Sequence, residues 1–457
     1  MNAPILKGMS NGKFFLGFLV FYFIISLSAW HFGGIRISGD AIGYFQIAEN
    51  LQAGNGFSRC DAPPYLPDSS RTPVYPLFVL FFRQVFGGHF SLLAIVLAQA
   101  FVAGATLIII KKALESMSLP LMPQATAAAI AFFGVSPTFI DAIITAYAEI
   151  LLLFFLAVLL LLLVKILGDG SRKSALLKAA LIGVVLGIMT LNKPVCQFLP
   201  VIPVAILAVK KRMKECGLIL AGFLIVIIPW VWRNHSVFGK ADISSIDEFN
   251  LCVFTARPLI GPVEYQDYQR QAGILENADN QLINAAKIGY FNFSLGARYK
   301  ACGLTIIKDH WKQYVGKALV NLIDFPLSRG PNIVTRVFNI DSKKYRGLPM
   351  EARLRNPTSL AVIVGAAGEM LYRFLFYIFC LLGITLVFRS RPFFSNASLV
   401  LALLTGVYFI FLVSVTQIDD FDQARLILPG HLALTFFLPF GINFIAERIK
   451  ARRERPE

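Results

Sequence analysis

Residues 148–165 read AEILLLFFLAVLLLLLVK. Wound as a helix, a run of this length rises about 27 Å, close to the thickness of a bilayer's hydrocarbon core. Strands of a membrane barrel alternate apolar and polar positions, and this run does not. It is therefore read as a membrane-spanning helix. One residue in it is out of place. Glu149 stands just inside the apolar stretch, where an acid is costly unless it is paired or used.

Further runs of the same character lie near 14–32, 89–110, 120–137, 175–191, 195–209, 216–232, 361–388, 396–416 and 424–446. Only Asn192-Lys193-Pro194 separates 175–191 from 195–209, so these two read as a tight hairpin. The composition agrees. Of 457 residues, 56% are hydrophobic and 15% charged, against about 25% charged in soluble domains. That balance excludes a soluble globular enzyme, a disordered chain, a fibrous repeat and a disulfide scaffold. The expected fold is an all-α polytopic membrane protein with about ten transmembrane helices. Lys7 and Lys13 precede the first run, as in a signal peptide, but its length and the spans behind it favour an uncleaved helix.

The formal net charge is +16, from 43 basic and 27 acidic residues. In a soluble chain this would point to nucleic acid. Here the cations gather in short linkers: Lys111 and Lys112; Lys165, Arg172, Lys173 and Lys178; Lys210, Lys211, Arg212 and Lys214; Arg389 and Arg391; and the tail from Arg448 to Arg455. With ten spans and a cytoplasmic N-terminus, every cluster falls on the cytoplasmic side, as the positive-inside rule demands. The charge therefore reports topology, both termini are expected in the cytoplasm, and no nucleic-acid partner is expected.

The opposite face carries two large loops, 33–88 and 233–360. The chain then divides into a transmembrane module at 1–232 that includes the first loop, an outer region at 233–360, and C-terminal helices with a basic tail at 361–457. In the first loop, the stretch after Ser38-Gly39-Asp40 reads as a short amphipathic helix ended by Gly54. In the second, 297–322 reads as one amphipathic helix suited to the membrane interface. None of the six cysteines forms a CxxC or a metal-ligand spacing. Cys60, Cys252 and Cys302 fall in outer segments, where a disulfide among them is open.

Charged residues on the outer face form the candidate site. Asp40 and Tyr44 share a helical face. Arg71-Thr72-Pro73-Val74-Tyr75-Pro76 puts a cation and a tyrosine at the head of the next apolar stretch. In SPTFIDAIITAYAEILLL, Asp141, Thr145 and Glu149 stand at helical spacing. Lys193 lies at the outer end of its hairpin, against the positive-inside trend. Arg233 and Asn234 in PWVWRN, Arg257 in FTARPLIG, and Arg425 after Asp419, Asp420 and Asp422 complete the group. Each has a structural reading: a helix cap for Asp40, an interfacial anchor for Arg71, snorkelling or local pairing for the others. Together they place carboxylates and cations on the outer surface of an apolar bundle. That suits an enzyme taking a phosphate-bearing lipid-linked substrate from the bilayer. Arg and Lys would neutralise the phosphate, and a carboxylate would accept the proton of the attacking group.

The sequence resembles the GT-C glycosyltransferases, in particular the protein O-mannosyltransferase-like and aminoarabinose-transferase-like branch (glycosyltransferase families 39 and 83). The resemblance rests, in chain order, on GDAIGYFQIAENLQAGNGF, RTPVYPLF, SPTFIDAIITAYAEILL, LNKPV, PWVWRN and QARLILPGHLAL. It is sparse between about 240 and 360. It implies a sugar donor on a polyprenyl phosphate and transfer on the periplasmic or lumenal side. It also implies a catalytic acid in the first outer loop, matched by Asp40, and a second acid after the third span, matched by Glu149. Arg71 stands at the family's cation before prolines, Arg425 at the basic residue opening the last helix, and Lys193 where many members carry Arg. Members often have an acidic pair in the first loop, but here Ala41 follows Asp40. Some relatives use a divalent metal, and the lone acid speaks against a preformed metal site. No other cofactor is indicated.

The expected reaction is a single inverting displacement. Asp40 takes the acceptor's proton, and Arg71, Lys193 or Arg425 stabilises the departing polyprenyl phosphate, with Arg233 and Arg257 as further phosphate-binding candidates. Tyr44 and Tyr75 would stack on sugar or prenyl groups. Lipid A, another glycolipid or polysaccharide, and protein hydroxyls are all open as acceptors. The expected location is a bacterial inner membrane with the site facing outward. The alternative from another class is a flippase for lipid-linked sugars, which predicts charges at midplane depth and broken helices.

Overall fold

The computed structural model describes residues 11–35, 37, 39–117, 122–168, 171–275, 292–327, 332–341, 350–390, 396–416 and 425–453. Ser38, Asp419, Asp420 and Asp422 lie outside them. The described residues contain no strand, only an isolated bridge between Ser58 and Pro67.

The first half runs α1 (Asn11–His31), α2 (Asp40–Gln52), α3 (Val74–Glu115), α4 (Pro123–Gly134), α5 (Pro137–Ile144), α6 (Glu149–Leu167), α7 (Arg172–Asn192), α8 (Val201–Val209) and α9 (Met213–Phe238). The region expected outside follows with α10 (Ile246–Asn250), a π-helical turn at Leu251–Ala256, α11 (Pro262–Gln271), α12 (Phe293–Asp309), α13 (Trp311–Leu327), α14 (Ile333–Val337) and α15 (Met350–Arg355). The chain closes with α16 (Pro357–Ser390), α17 (Ala397–Thr416), α18 (Leu428–Leu434) and α19 (Leu438–Arg453).

Among the described residues, seven helices are long and apolar enough to cross a membrane, or nine with each of two bent pairs taken as one span. The expected span at 195–209 is a shorter apolar helix, Pro194–Val209. The protein is an integral membrane protein. The bent pairs have local causes. Between α4 and α5 the chain turns by 53°, because Pro137 cannot continue a helix and Ser136 caps the new one at Phe139 N. Between α18 and α19 it turns by 60°.

Lipid offers little hydrophobic drive between helices, so close packing relies on small residues. A Cβ on Gly183 of α7 would sit 2.2 Å from Ile219 O of α9, and one on Gly222 of α9 would sit 2.6 Å from Ala180 O. The α16–α19 contact uses the same device: a Cβ on Gly383 would meet Phe437 O at 2.0 Å. Larger residues at these positions would push the helices apart.

The amphipathic stretch 297–322 is not one helix. It breaks at His310, whose backbone leaves the helical region. The two parts face different surroundings. α12 turns Leu295, Cys302 and Ile306 into a small cluster with Cys252, Ala256 and Tyr265. α13 runs beside α17 and leaves Trp311, Val315, Leu319 and Ile323 exposed at a four-residue spacing, an apolar stripe suited to the membrane interface.

Candidate active site

Asp141, Thr145 and Glu149 do not share a helix face, contrary to their spacing. α5 stops at Ile144, Thr145 is extended, and α6 begins at Glu149. The break is stitched from outside. Gln99 of α3, fully buried, donates to the carbonyls of Ile143 (2.9 Å) and Thr145 (2.8 Å) and accepts from Tyr75 Oη at 2.6 Å. Asn192 at the end of α7 donates to Ala148 O at 2.9 Å. Carbonyls that a continuous helix would satisfy are thus satisfied by side chains. The result delivers Glu149, 1% exposed, into a cavity rather than along a helix wall. Asp141 is left beside Arg336 of α14 at 3.3 Å.

Asp40 is the first residue of α2, after Gly39 with φ 56. That left-handed conformation favours glycine. The carboxylate turns to two guanidiniums, with Arg71 NH2 2.9 Å from Oδ1 and Arg425 NH2 2.9 Å from Oδ2. Arg71 is aimed by a turn in which Asp68 Oδ1 accepts from the backbone N–H of Ser70 and of Arg71. Arg59 pairs with the same carboxylate, and Arg233 donates to Asp68 O at 2.9 Å. Gly43 leaves room for the Arg71 side chain, since a Cβ there would be 3.3 Å from its Nε. The Arg71 guanidinium lies 5.2 Å from the Tyr44 ring centroid.

Lys193, extended between α7 and the Pro194–Cys196 turn, reaches Glu149 Oε1 at 2.6 Å. Arg425 NH1 reaches the same oxygen at 2.8 Å. Its guanidinium also stacks 3.9 Å from the centroid of Tyr147. Arg425 therefore bridges both carboxylates. Three cations face two carboxylates, leaving one net positive charge. Glu149 Oε2 and Arg71 Nε are buried without a hydrogen-bond partner. Burial alone would raise the Asp40 carboxyl, but Arg71, Arg425 and Lys193 together outweigh it and hold it well below the usual carboxylate range.

These groups line a cavity of about 770 Å³. Asp40, Tyr44, Arg71, Glu149, Lys193 and Arg425 form one end. Phe409, Leu412 and Val413 of α17 and Leu426 form an apolar wall. The lining also carries Asp242, Asp247, Glu248 and Lys300, with Phe249 and Phe254. Burial, with Asp242 nearby, pushes the Glu248 carboxyl up to about 7.

Three expected site residues are not among the cavity's lining. Tyr75 is fully buried against Gln99. Arg233 packs on the rings of Trp230, Phe57 and Phe238 and holds Asp68. Arg257 lies over Tyr265. Sequence reading did not single out Tyr147, Gln99, Asp242, Asp247 or Glu248. Gln99 had a signal, a lone amide within the apolar run 89–110, but Tyr147 had none.

Among the described residues, no group of three or more His, Cys, Asp or Glu could hold a metal ion. The cluster does not suit a divalent cation. Both Asp40 oxygens are already taken by guanidiniums, and the net charge is positive. An anion fits it better.

No protein-family model and no curated protein matches the chain. Solved structures do. The archaeal oligosaccharyltransferase AglB from Archaeoglobus fulgidus, in complex with an inhibitory peptide and a dolichol-phosphate, aligns over 97% of this chain with 12% identity and a TM-score of 0.50. The apo Archaeoglobus fulgidus oligosaccharyltransferase aligns over 96% with 14% identity and a TM-score of 0.51. In both cases the chain spans about half, 51%, of the other's length. ArnT from Cupriavidus metallidurans, bound to undecaprenyl phosphate, shows a lower TM-score of 0.42 at 16% identity, over 95% of this chain and 79% of its own. At these identities the likeness concerns architecture: the chain has the fold of the archaeal oligosaccharyltransferase.

Proposed function

We propose that the protein is a glycosyltransferase that moves a sugar from a polyprenyl-phosphate donor to an acceptor hydroxyl or amine at the outer membrane surface, with inversion. The observation that carries this reading is the cavity cluster: Arg71, Lys193 and Arg425 around Asp40 and Glu149, with one uncompensated positive charge beside an apolar wall. A donor phosphodiester carries one negative charge and neutralises it. The prenyl chain lies along the apolar wall of α17. In keeping with this, AglB, which has the same fold, is a complex with a dolichol-phosphate.

The geometry also suggests an order of events. With its carboxylate clamped by two guanidiniums, Asp40 is a poor base. Donor phosphate oxygens compete for Arg71 and Arg425. As those guanidiniums turn to the phosphate, Asp40 loses its clamp and becomes basic. It then accepts the proton of the acceptor O–H or N–H while the nucleophile bonds to the anomeric carbon. The bond from that carbon to the phosphate oxygen breaks, and its electron pair leaves with the polyprenyl phosphate. The extra negative charge falls on the cations already in place, where preorganised donors act most strongly. Glu149, paired with both Lys193 and Arg425, holds the two cations side by side against their mutual repulsion. Donor loading thus switches on the base, which limits idle hydrolysis.

Native mass spectrometry of the purified protein with a polyprenyl phosphate tests the binding step. The wild type is expected to retain the lipid phosphate, and the folded Arg71→Met/Arg425→Met variant to lose it. Equal retention by both would contradict the proposal.

A further inference from the structure

We propose that Cys252 and Cys302 form a disulfide in the mature protein, made by thiol–disulfide exchange with a disulfide-bearing protein oxidant of the outer compartment. The two residues lie 50 positions apart, and their sulfurs are 3.1 Å from each other. Cys252 sits on the π-helical turn and Cys302 on α12. The backbones touch at this point, since a Cβ on the neighbouring Gly303 would be 3.0 Å from Cys252 N. Disulfides need such proximity of the two chains. Both cysteines are almost completely buried, 0% and 1% exposed, in one apolar cluster with Tyr265, Leu295 and Ile306. Among the described residues no third ligand is placed to make the pair a metal site. The segment is on the face that the charge distribution puts outside, where disulfides persist.

The exchange balances. The Cys252 thiolate attacks the oxidant's disulfide, forming a mixed disulfide and releasing one oxidant thiolate. Cys302 then attacks the Cys252 sulfur, closing the bridge and releasing the second oxidant thiol. Two electrons reduce the oxidant to its dithiol, and the protons of the two cysteines end on it. Because both sulfurs are buried in the folded protein, the exchange takes place before α12 docks on the π-helical turn.

The bridge has a consequence for the cavity. Leu251, Phe254 and Thr255 line the cavity from the turn that carries Cys252, and Lys300 lines it from the helix that carries Cys302. A bond between the two fastens one wall to the other.

The test is a two-stage alkylation of the full-length protein, taken from its native membrane with thiols blocked at lysis. After denaturation without reductant, Cys60, Cys196, Cys216 and Cys380 are expected to carry the first label. Cys252 and Cys302 are expected to take the second label only after reduction, and to appear beforehand as one cross-linked peptide pair. The Cys302→Ser variant keeps the result interpretable: its Cys252 is expected to react in the first stage. Wild-type protein in which Cys252 and Cys302 take the first label would overturn the proposal, as would a cross-link from Cys60 to either. None of these readouts depends on sugar transfer.

Discussion

Among the described residues, two of the buried clusters of opposite charge are built differently. In α16, Glu369 pairs with Arg373 one turn later, the two side chains 3% and 2% exposed. Arg373 also donates to Thr138 Oγ1 of α5 at 3.1 Å. One acid meets one base, and neither residue is among the lining of the cavity. In the cluster around Asp40 and Glu149, three cations meet two acids, and Glu149 Oε2 and Arg71 Nε are buried without a partner. The Glu369–Arg373 pair is balanced in charge and reaches α5 through Thr138. An open, unbalanced cluster holds a place for something charged. Charge balance and satisfaction, more than burial, separate the structural cluster from the candidate site.

The comparison is most sharply broken by removing one member of each. Arg373→Met takes the guanidinium partner from the buried Glu369 carboxylate, and is expected to cost about 3–5 kcal/mol of stability. The Glu369→Gln/Arg373→Met pair should recover most of it, with turnover per folded molecule unchanged throughout. Thermal unfolding in detergent alongside the transfer assay reads both effects. Arg425→Met is expected to do the reverse. It should lower turnover about 10²–10³-fold while the thermal midpoint changes less than in Arg373→Met. Gln99→Leu joins the two categories. It strips the carbonyls at the α5–α6 break of their donor, costing about 1–3 kcal/mol, and turnover should fall with it because Glu149 loses its seat. Turnover equal to wild type in the folded fraction would show that the break does not position Glu149.

The smallest effect concerns Glu248 in the cavity's lining. Glu248 is raised from its ordinary value of 4.5 to about 7, chiefly by burial and then by Asp242. Its folded form holds a proton that the unfolded chain releases. Its contribution to stability is therefore complete below the unfolded value and declines as pH rises to about 7. The thermal midpoint should fall between pH 5 and pH 7.5, and less so in Glu248→Gln.

Much of this was legible in the sequence because the bilayer enforces long apolar runs. Their positions survive in the structure, with 120–137 and 424–446 bent and 195–209 shortened. The site was legible where a charge stands at a costly place. Glu149 in an apolar span, Lys193 in a turn expected on the outer face, and Asp40 at a helix start all line one cavity. Arg425 pairs with Asp40 from 385 residues away, a contact that no local pattern encodes. Arg233 and Arg257 are not among that cavity's lining and lie over aromatic rings. A cation in a loop expected outside looks alike in sequence whether it faces a cavity or a ring. Tyr147 escaped notice because a neutral ring beside a charged cluster carries no cost signal.

The most direct test of the central claim follows release of free polyprenyl phosphate by purified protein. A panel of polyprenyl-phosphate sugars would be offered, with an envelope extract as the acceptor source. Wild type is expected to release polyprenyl phosphate from at least one donor. Folded Asp40→Asn is expected to do so about 10²–10⁴-fold more slowly while still binding the lipid phosphate. Release by Asp40→Asn at the wild-type rate, or none from any donor by folded wild type, would contradict the account.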